Sequence, residues 1–258
     1  MKINFFEEYP TKENLSKLDL ITWPATVLIA TSSYEQFDII RQEYKEKYKN
    51  ITFGWWPTIF ESYWISGISN PKNLDQLFTE LISKVHNPEL SILLDLELPQ
   101  KPWKYLKNLI YLKSNKKNIN NFLIQAPKHN IKVYTTEYPS TGKILYAIWK
   151  IFGLSPSFDF SHTKIIMCYS SMLKKFFGKQ IWNNIMKFEK KFSKDNQGRV
   201  CFGLGTIATG VLGNEPICSV ENITEDIKWV EETGITEIFI FRLGGMTEEY
   251  KNAFSEKF

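Results

Sequence analysis

Cysteine is scarce, with three residues in 258, and Cys168, Cys201 and Cys218 lie too far apart for a disulfide framework or a CxxC metal or redox motif. They read as small core residues. Histidine is equally scarce: His86, His129 and His162 form no HxxxH or HExxH pair, so each reads as a surface or loop residue and no metal centre is expected. No apolar run approaches the roughly 20 residues that cross a bilayer, and the first ten residues carry Glu7 and Glu8 where a secretory signal needs an apolar stretch. The expectation is a soluble, cytoplasmic protein with no membrane partner. Neither GxGxxG nor GxxxxGK[ST] occurs, which removes the phosphate-cradling signatures of the nucleotide-binding folds, and no cofactor is expected. The net charge of +4 comes from 32 basic and 28 acidic residues spread along the chain, so no nucleic-acid footprint is expected either. Composition does not fix the oligomeric state.

What is present suffices for one sizeable core: 43% of the residues are hydrophobic and 15% aromatic, which suits a single domain over residues 1–258. Eight apolar or β-branched runs, at 2–6, 26–30, 51–56, 91–97, 131–136, 164–169, 199–204 and 237–241, read as strands. Amphipathic segments at 34–48, 74–85, 119–127, 142–152, 180–192 and 223–233 read as helices between them. Strands that are apolar throughout and alternate with helices imply a parallel sheet, and eight such units in 258 residues predict a single (β/α)8 TIM barrel. Glu8-Tyr9-Pro10-Thr11 recurs as Glu137-Tyr138-Pro139-Ser140, an offset of 129 residues, which is half the chain. The match is what a duplicated half-barrel or coincidence would leave, and it places both glutamates just past a strand, at the barrel end where active sites are built.

The sharpest chemical signal is Asp95-Leu96-Glu97 on the fourth strand. Alternation puts both carboxylates on one side of the sheet, where they either meet an inward cation such as Arg242 or repel one another and raise one pKa. The aromatics Trp55, Trp56, Tyr63, Trp64 and Trp103 fall on strand three or in the connections after strands three and four, where flat rings could stack on sugars or pack as core. Residues 57–71 are too many for a bare turn and suggest a lip over the barrel mouth. After strands seven and eight, Gly203, Gly205, Gly244 and Gly245 could admit a phosphate beside Arg242, or serve only as tight turns.

On these residues the sequence resembles the chitinase-type glycoside hydrolases of family 18 and related Asp-x-Glu barrels. That family carries D-x-x-D-x-D-x-E on strand four, whose last two acidic positions match Asp95 and Glu97, and Met-x-Tyr-Asp on strand six, where this chain has Met167-Cys168-Tyr169-Ser170. Leu90 and Leu93 stand at the first two acidic positions, Ser170 at the strand-six Asp, and Phe241 where strand eight of the family often has Trp. The resemblance implies that Glu97 protonates a glycosidic oxygen, Asp95 orients an acetamido group and Tyr169 supports it. Glu8 and Glu137 are further catalytic candidates, and Trp55, Trp56, Trp64, Trp103, Met167 and Arg242 are candidates to bind a small-molecule or oligosaccharide substrate. Two other readings stay open: a barrel holding a phosphorylated metabolite at the last two glycine loops, and a non-catalytic sugar-binding barrel.

Overall fold

A computed structural model of the chain describes residues 1–59, 62–84, 90–99 and 101–255. Its strands are β1 Lys2–Glu7, β2 Ala25–Thr31, β3 Ile51–Pro57, β4 Ser91–Asp95, β5 Lys132–Glu137, β6 Thr163–Met167, β7 Val200–Gly205 and β8 Glu237–Phe241. Each pairs in parallel with the next, and β8 returns to β1 with Lys2 opposite Glu237 and Phe6 opposite Phe241, so the sheet closes. The fold is the (β/α)8 barrel that the strand and helix alternation predicts.

The helices among the described residues are α1 Lys12–Ser16, α2 Tyr34–Tyr44, α3 Pro71–Lys84, α4 Leu112–Gln125, α5 Lys143–Ile151, α6 Ser170–Asp195, α7 Val220–Thr233 and α8 Glu248–Ser255. Thr11, Ser33 and Ser219 start α1, α2 and α7 by accepting backbone N–H groups three residues on, a cap that contributes about 1 kcal/mol. Three extents differ from the sequence pattern. The α2 helix stops at Tyr44, because Tyr48 turns inward and its hydroxyl donates to Asp19 at 2.9 Å. The α4 helix begins seven residues early, at Leu112, and follows a 3-10 helix, Pro102–Tyr111. The α6 helix begins ten residues early and is broken at Gly178, whose φ of 82° only glycine adopts freely.

Pleating sorts the strand residues into two layers. Inside the lumen, Phe6 lies 5.3 Å from Phe239 and 5.8 Å from Trp56, and Tyr134 lies 5.0 Å from Phe239, ring centre to ring centre. Beneath them Glu237 takes the Lys2 ammonium at 3.1 Å and the Asn4 amide at 2.9 Å, which closes the N-terminal end. Outward-facing neighbours pack on helices: Phe5 against Phe254, Trp55 against Phe37 and Phe202 against Trp229. The cysteines are free and buried, as small core residues. His129 is exposed, but His162 is buried and stacks on Phe158, so burial holds its imidazole down at about 4. His86 lies outside the described residues. None of the described helices is long and apolar enough to cross a membrane.

The connection after β3 extends the sheet at the C-terminal end of the barrel. Ile65 N–H donates to the Asp95 carbonyl at 2.9 Å and Ile65 bridges in parallel to Leu96, so β4 is continued past its last regular residue. Ser62, Trp64, Ser66 and Ser69 of this segment are buried. The expected lip is therefore packed down onto the barrel.

Candidate active site

Strand parity decides which residues meet at the barrel mouth. Asp95 and Glu97 share a face of β4 and its extension, and both line a cavity of about 660 Å³ at the C-terminal end. Phe6 and Glu8 reach it from β1, Thr136 and Tyr138 from β5, Met167 and Tyr169 from β6, and Phe241 from β8. Glu137, between Thr136 and Tyr138, faces the other way. It is locked outside the lumen by the Lys164 ammonium, at 2.7 and 2.9 Å, with the Thr135 hydroxyl at 3.2 Å. Of the five residues expected to converge, the structure brings Glu8, Asp95, Glu97 and Tyr169 together and leaves Glu137 out.

The same parity bears on the repeated tripeptide. Counted from the first residue of β1 and β5, Glu137 corresponds to Glu7 and not to Glu8. Glu7 is likewise outside the lumen, where Arg242 donates to it at 2.9 Å and the Gly244 and Tyr9 N–H groups at 2.6 and 2.7 Å. The Glu-Tyr-Pro match is thus out of phase with the barrel by one residue.

Among the described residues lining the cavity none is Lys, Arg or His, and Arg242, outside it, acts on Glu8 through its charge. Asp95 accepts a hydrogen bond from the Thr136 hydroxyl. The Trp56 indole faces it without reaching hydrogen-bond geometry. Glu97 accepts from the Tyr138 hydroxyl at 3.1 Å, and that hydroxyl in turn accepts the Leu98 N–H at 3.3 Å. Burial raises the pKa of both acids, and the charge of Asp95 raises Glu97 further, more than Tyr138 lowers it. The two carboxyls therefore titrate as a pair, with the more strongly held proton on Glu97. Burial also pushes Glu8 up to about 7, opposed by the nearby Tyr63 hydroxyl and reinforced by Asp95. Glu215, from the loop after β7, takes the Leu212 N–H at 3.0 Å on one oxygen and leaves the other unpartnered.

The remaining candidates separate clearly. Trp56, Trp64 and Met167 line the cavity, whereas Trp55 is packed between β3 and α2 and Trp103 is 63% exposed away from it. Arg242 is not the inward partner of Asp95 and Glu97. Its guanidinium is committed to Glu7 and to the Thr209 carbonyl, 4.9 Å over the Tyr9 ring. None of Gly203, Gly205, Gly244 and Gly245 lines the cavity. A Cβ at Gly205 would lie 2.3 Å from the Phe241 carbonyl oxygen and one at Gly245 2.1 Å from that of Ile207, so these two glycines allow backbone segments to touch. The Gly244 N–H is held by Glu7. No group of three or more His, Cys, Asp or Glu among the described residues is placed to hold a metal ion.

Sequence reasoning missed Thr136, Tyr138 and Glu215 as site residues. The first two carried a signal, since Tyr134, Thr136 and Tyr138 repeat at period two and Tyr134 is the residue a lumen would take; Glu215 sits in a loop and carried none. It also missed the apolar side of the cavity, formed by Leu145 and Trp149 of α5, by Leu173, Phe177 and Ile181 of α6 and by Leu212.

No family model and no curated protein sequence matches the chain. Its fold is similar to solved structures at low identity. A Group IV chitinase from Ostrinia furnacalis is 9% identical, with a TM-score of 0.60 and 99% of each chain covered. A spore cortex-lytic enzyme from Bacillus cereus is 10% identical, with a TM-score of 0.59, covering all of this chain and 74% of that one. A D-tagatose 3-epimerase-like protein is also 10% identical, with a TM-score of 0.57, covering all of this chain and 96% of the other. At these identities what the chain shares with them is the closed (β/α)8 barrel.

Proposed function

We propose that the chain is a glycoside hydrolase-like barrel in which Glu97 is the general acid and the substrate is a carbohydrate, N-acetylated where Asp95 and Tyr169 act on an acetamido group. The observation that carries this reading is the Asp95 and Glu97 pair at the barrel mouth, in a cavity with no Lys, Arg or His among its described lining residues, where burial and mutual repulsion keep a proton on Glu97. A glycosidase needs such an acid near neutral pH. The Glu97 proton passes to the glycosidic oxygen as the bond from the anomeric carbon breaks, and the leaving alcohol departs neutral. Positive charge at that carbon is met by the acetamido oxygen of the same sugar, which Asp95 orients while Tyr169, beside Glu97 and Asp95, packs under it. Glu97, then a carboxylate, accepts a proton from the water that completes hydrolysis. On a sugar without an acetamido group, Glu8 is the remaining carboxylate in electrostatic reach of the pair. The enclosed aromatics Trp56, Trp64 and Phe241 supply flat surfaces for the ring. That solved structures of chitinase and cortex-lytic enzymes share the fold supports a sugar-directed barrel.

The test is hydrolysis of a panel of chromogenic glycosides that includes N-acetylglucosaminides, with wild type and Glu97→Gln. The substitution keeps the shape and removes the transferable proton, so turnover falls by about 10²- to 10⁴-fold with binding retained. Wild-type turnover in Glu97→Gln would overturn the assignment. Sugar binding without hydrolysis of any member would make the chain a binding barrel instead.

A further inference from the structure

The cavity is chemically two-faced. The carboxyls of Glu8, Asp95 and Glu97 sit at the strand ends, whereas Leu173 and Phe177 of α6, with Ile181 and Ile185 beyond its break at Gly178, border the same cavity as an apolar stripe. Leu145 and Trp149 of α5 and Leu212 of the loop after β7 extend this wall. The stripe does not end inside: Ile185 is 4% exposed, Ile181 39% and Phe177 57%, and Leu212 of the loop after β7 is 47% exposed. It therefore runs from the acid floor to solvent as part of a single cavity. Core packing does not account for large apolar side chains that border a cavity and reach water together.

A polysaccharide does not match such a wall. Sugar hydroxyls laid against it would give up water and gain, from the α6 side chains that line the cavity, only the Asn184 amide as a polar partner, at a cost of the kind that excludes polar groups from apolar surfaces. A volume of about 660 Å³ is of the class that takes a drug-sized molecule. We infer that the ligand is an amphiphilic glycoside, with its sugar on the Asp95 and Glu97 floor and a hydrocarbon aglycone lying along the α6 stripe and leaving between Phe177 and Leu212. The occupant follows from continuity: the acids and the stripe line one cavity, so the group the stripe covers is attached to the group the acids hold. This inference rests on the sugar-directed reading of the floor and names its substrate class.

The test uses methyl, butyl and octyl members of a glucoside and an N-acetylglucosaminide series, below their micelle concentrations, titrated by tryptophan fluorescence against Glu97→Gln, with octanol as the sugar-free probe. Dissociation constants fall with chain length, by up to about 4-fold per methylene. Phe177→Ser and Ile181→Ser, both at exposed positions, flatten that series. Equal affinity for methyl and octyl glycosides overturns the inference, as does a chain-length series that survives both wall variants. A wild-type dimer that Phe177→Ser dissociates in sedimentation also overturns it, because a second copy then covers the stripe. A steep series with no turnover by wild type upholds the amphiphile and refutes the hydrolase reading. Octanol binding as tightly as octyl glycoside refutes the sugar-directed reading, and with it the amphiphilic ligand.

Discussion

The Tyr138 hydroxyl donates to Glu97 Oε2 at 3.1 Å and thereby joins the end of β5 to the extension of β4. One residue earlier on the same strand, Glu137 is turned away and held by Lys164. The bond favours the charged form of an acid that burial and Asp95 otherwise keep protonated, so Tyr138 limits how far the pKa of Glu97 is raised.

Removing that bond gives a signed prediction. In Tyr138→Phe the carboxylate of Glu97 loses a donor, its pKa rises, and the alkaline limb of the pH–rate profile moves to higher pH. A pH series of kcat/KM checks it, and a limb that stays in place or moves down would show that Tyr138 does not act on the acid.

Asp95→Asn shifts the limb in the opposite direction. Its negative charge is one of the causes that raise Glu97, so without it the acid deprotonates at lower pH and the active range contracts from the alkaline side. Turnover also falls, by about 10-fold or more, through lost orientation of the substrate. The same profile reads both effects.

Glu137 is structural, and its loss appears in stability. Its carboxylate and the Lys164 ammonium are almost wholly buried, with side-chain exposures of 2% and 0%. Glu137→Ala leaves a buried ammonium with Ser155 and the Pro156 carbonyl as its described hydrogen-bond partners and no counter-charge in contact. The cost is about 3–5 kcal/mol, whereas replacing both partners by apolar residues of similar volume costs less. Denaturant unfolding of the single and double variants measures the difference.

Stability falls with rising pH, and outside the cavity Glu189 is one cause. This buried carboxyl takes one N–H, from Ser140 at 2.7 Å, leaves its other oxygen unpartnered, and is pushed by burial up to about 8. A carboxyl raised in the folded state contributes its stability fully below the unfolded value near 4.5 and loses it as pH rises towards 8. His162, lowered to about 4, contributes with the opposite sign, and only as pH falls below 6.5. Melting temperatures between pH 6.5 and 8.5 therefore decline in wild type, and Glu189→Gln reduces the slope.

The strands were the legible part of the chain, because a strand between two apolar layers must be apolar along its whole length and its helices must be amphipathic. Every strand lies within two residues of its expected bounds. Local chemistry was legible where it needed only pleat geometry: Asp95 and Glu97 share a face whatever surrounds them. Which face is the lumen was not, since parity is set by the neighbouring strands. That is why Trp55 and Trp56 part company, and why Glu137 turned out to be the counterpart of Glu7.

The sequence by itself determined the closed (β/α)8 barrel and an acidic pair on its fourth strand, because periodicity and alternation are properties of one segment at a time. Only the tertiary structure decided that Tyr138, Glu8 and Glu215 join that pair, that Arg242 and Lys164 are committed to Glu7 and Glu137 outside the lumen, and that α6 gives the cavity an apolar wall. Those relations span different strands, helices and loops, and their partners are chosen by register, by pleat phase and by where a loop folds back, none of which is written in the spacing of residues along the chain.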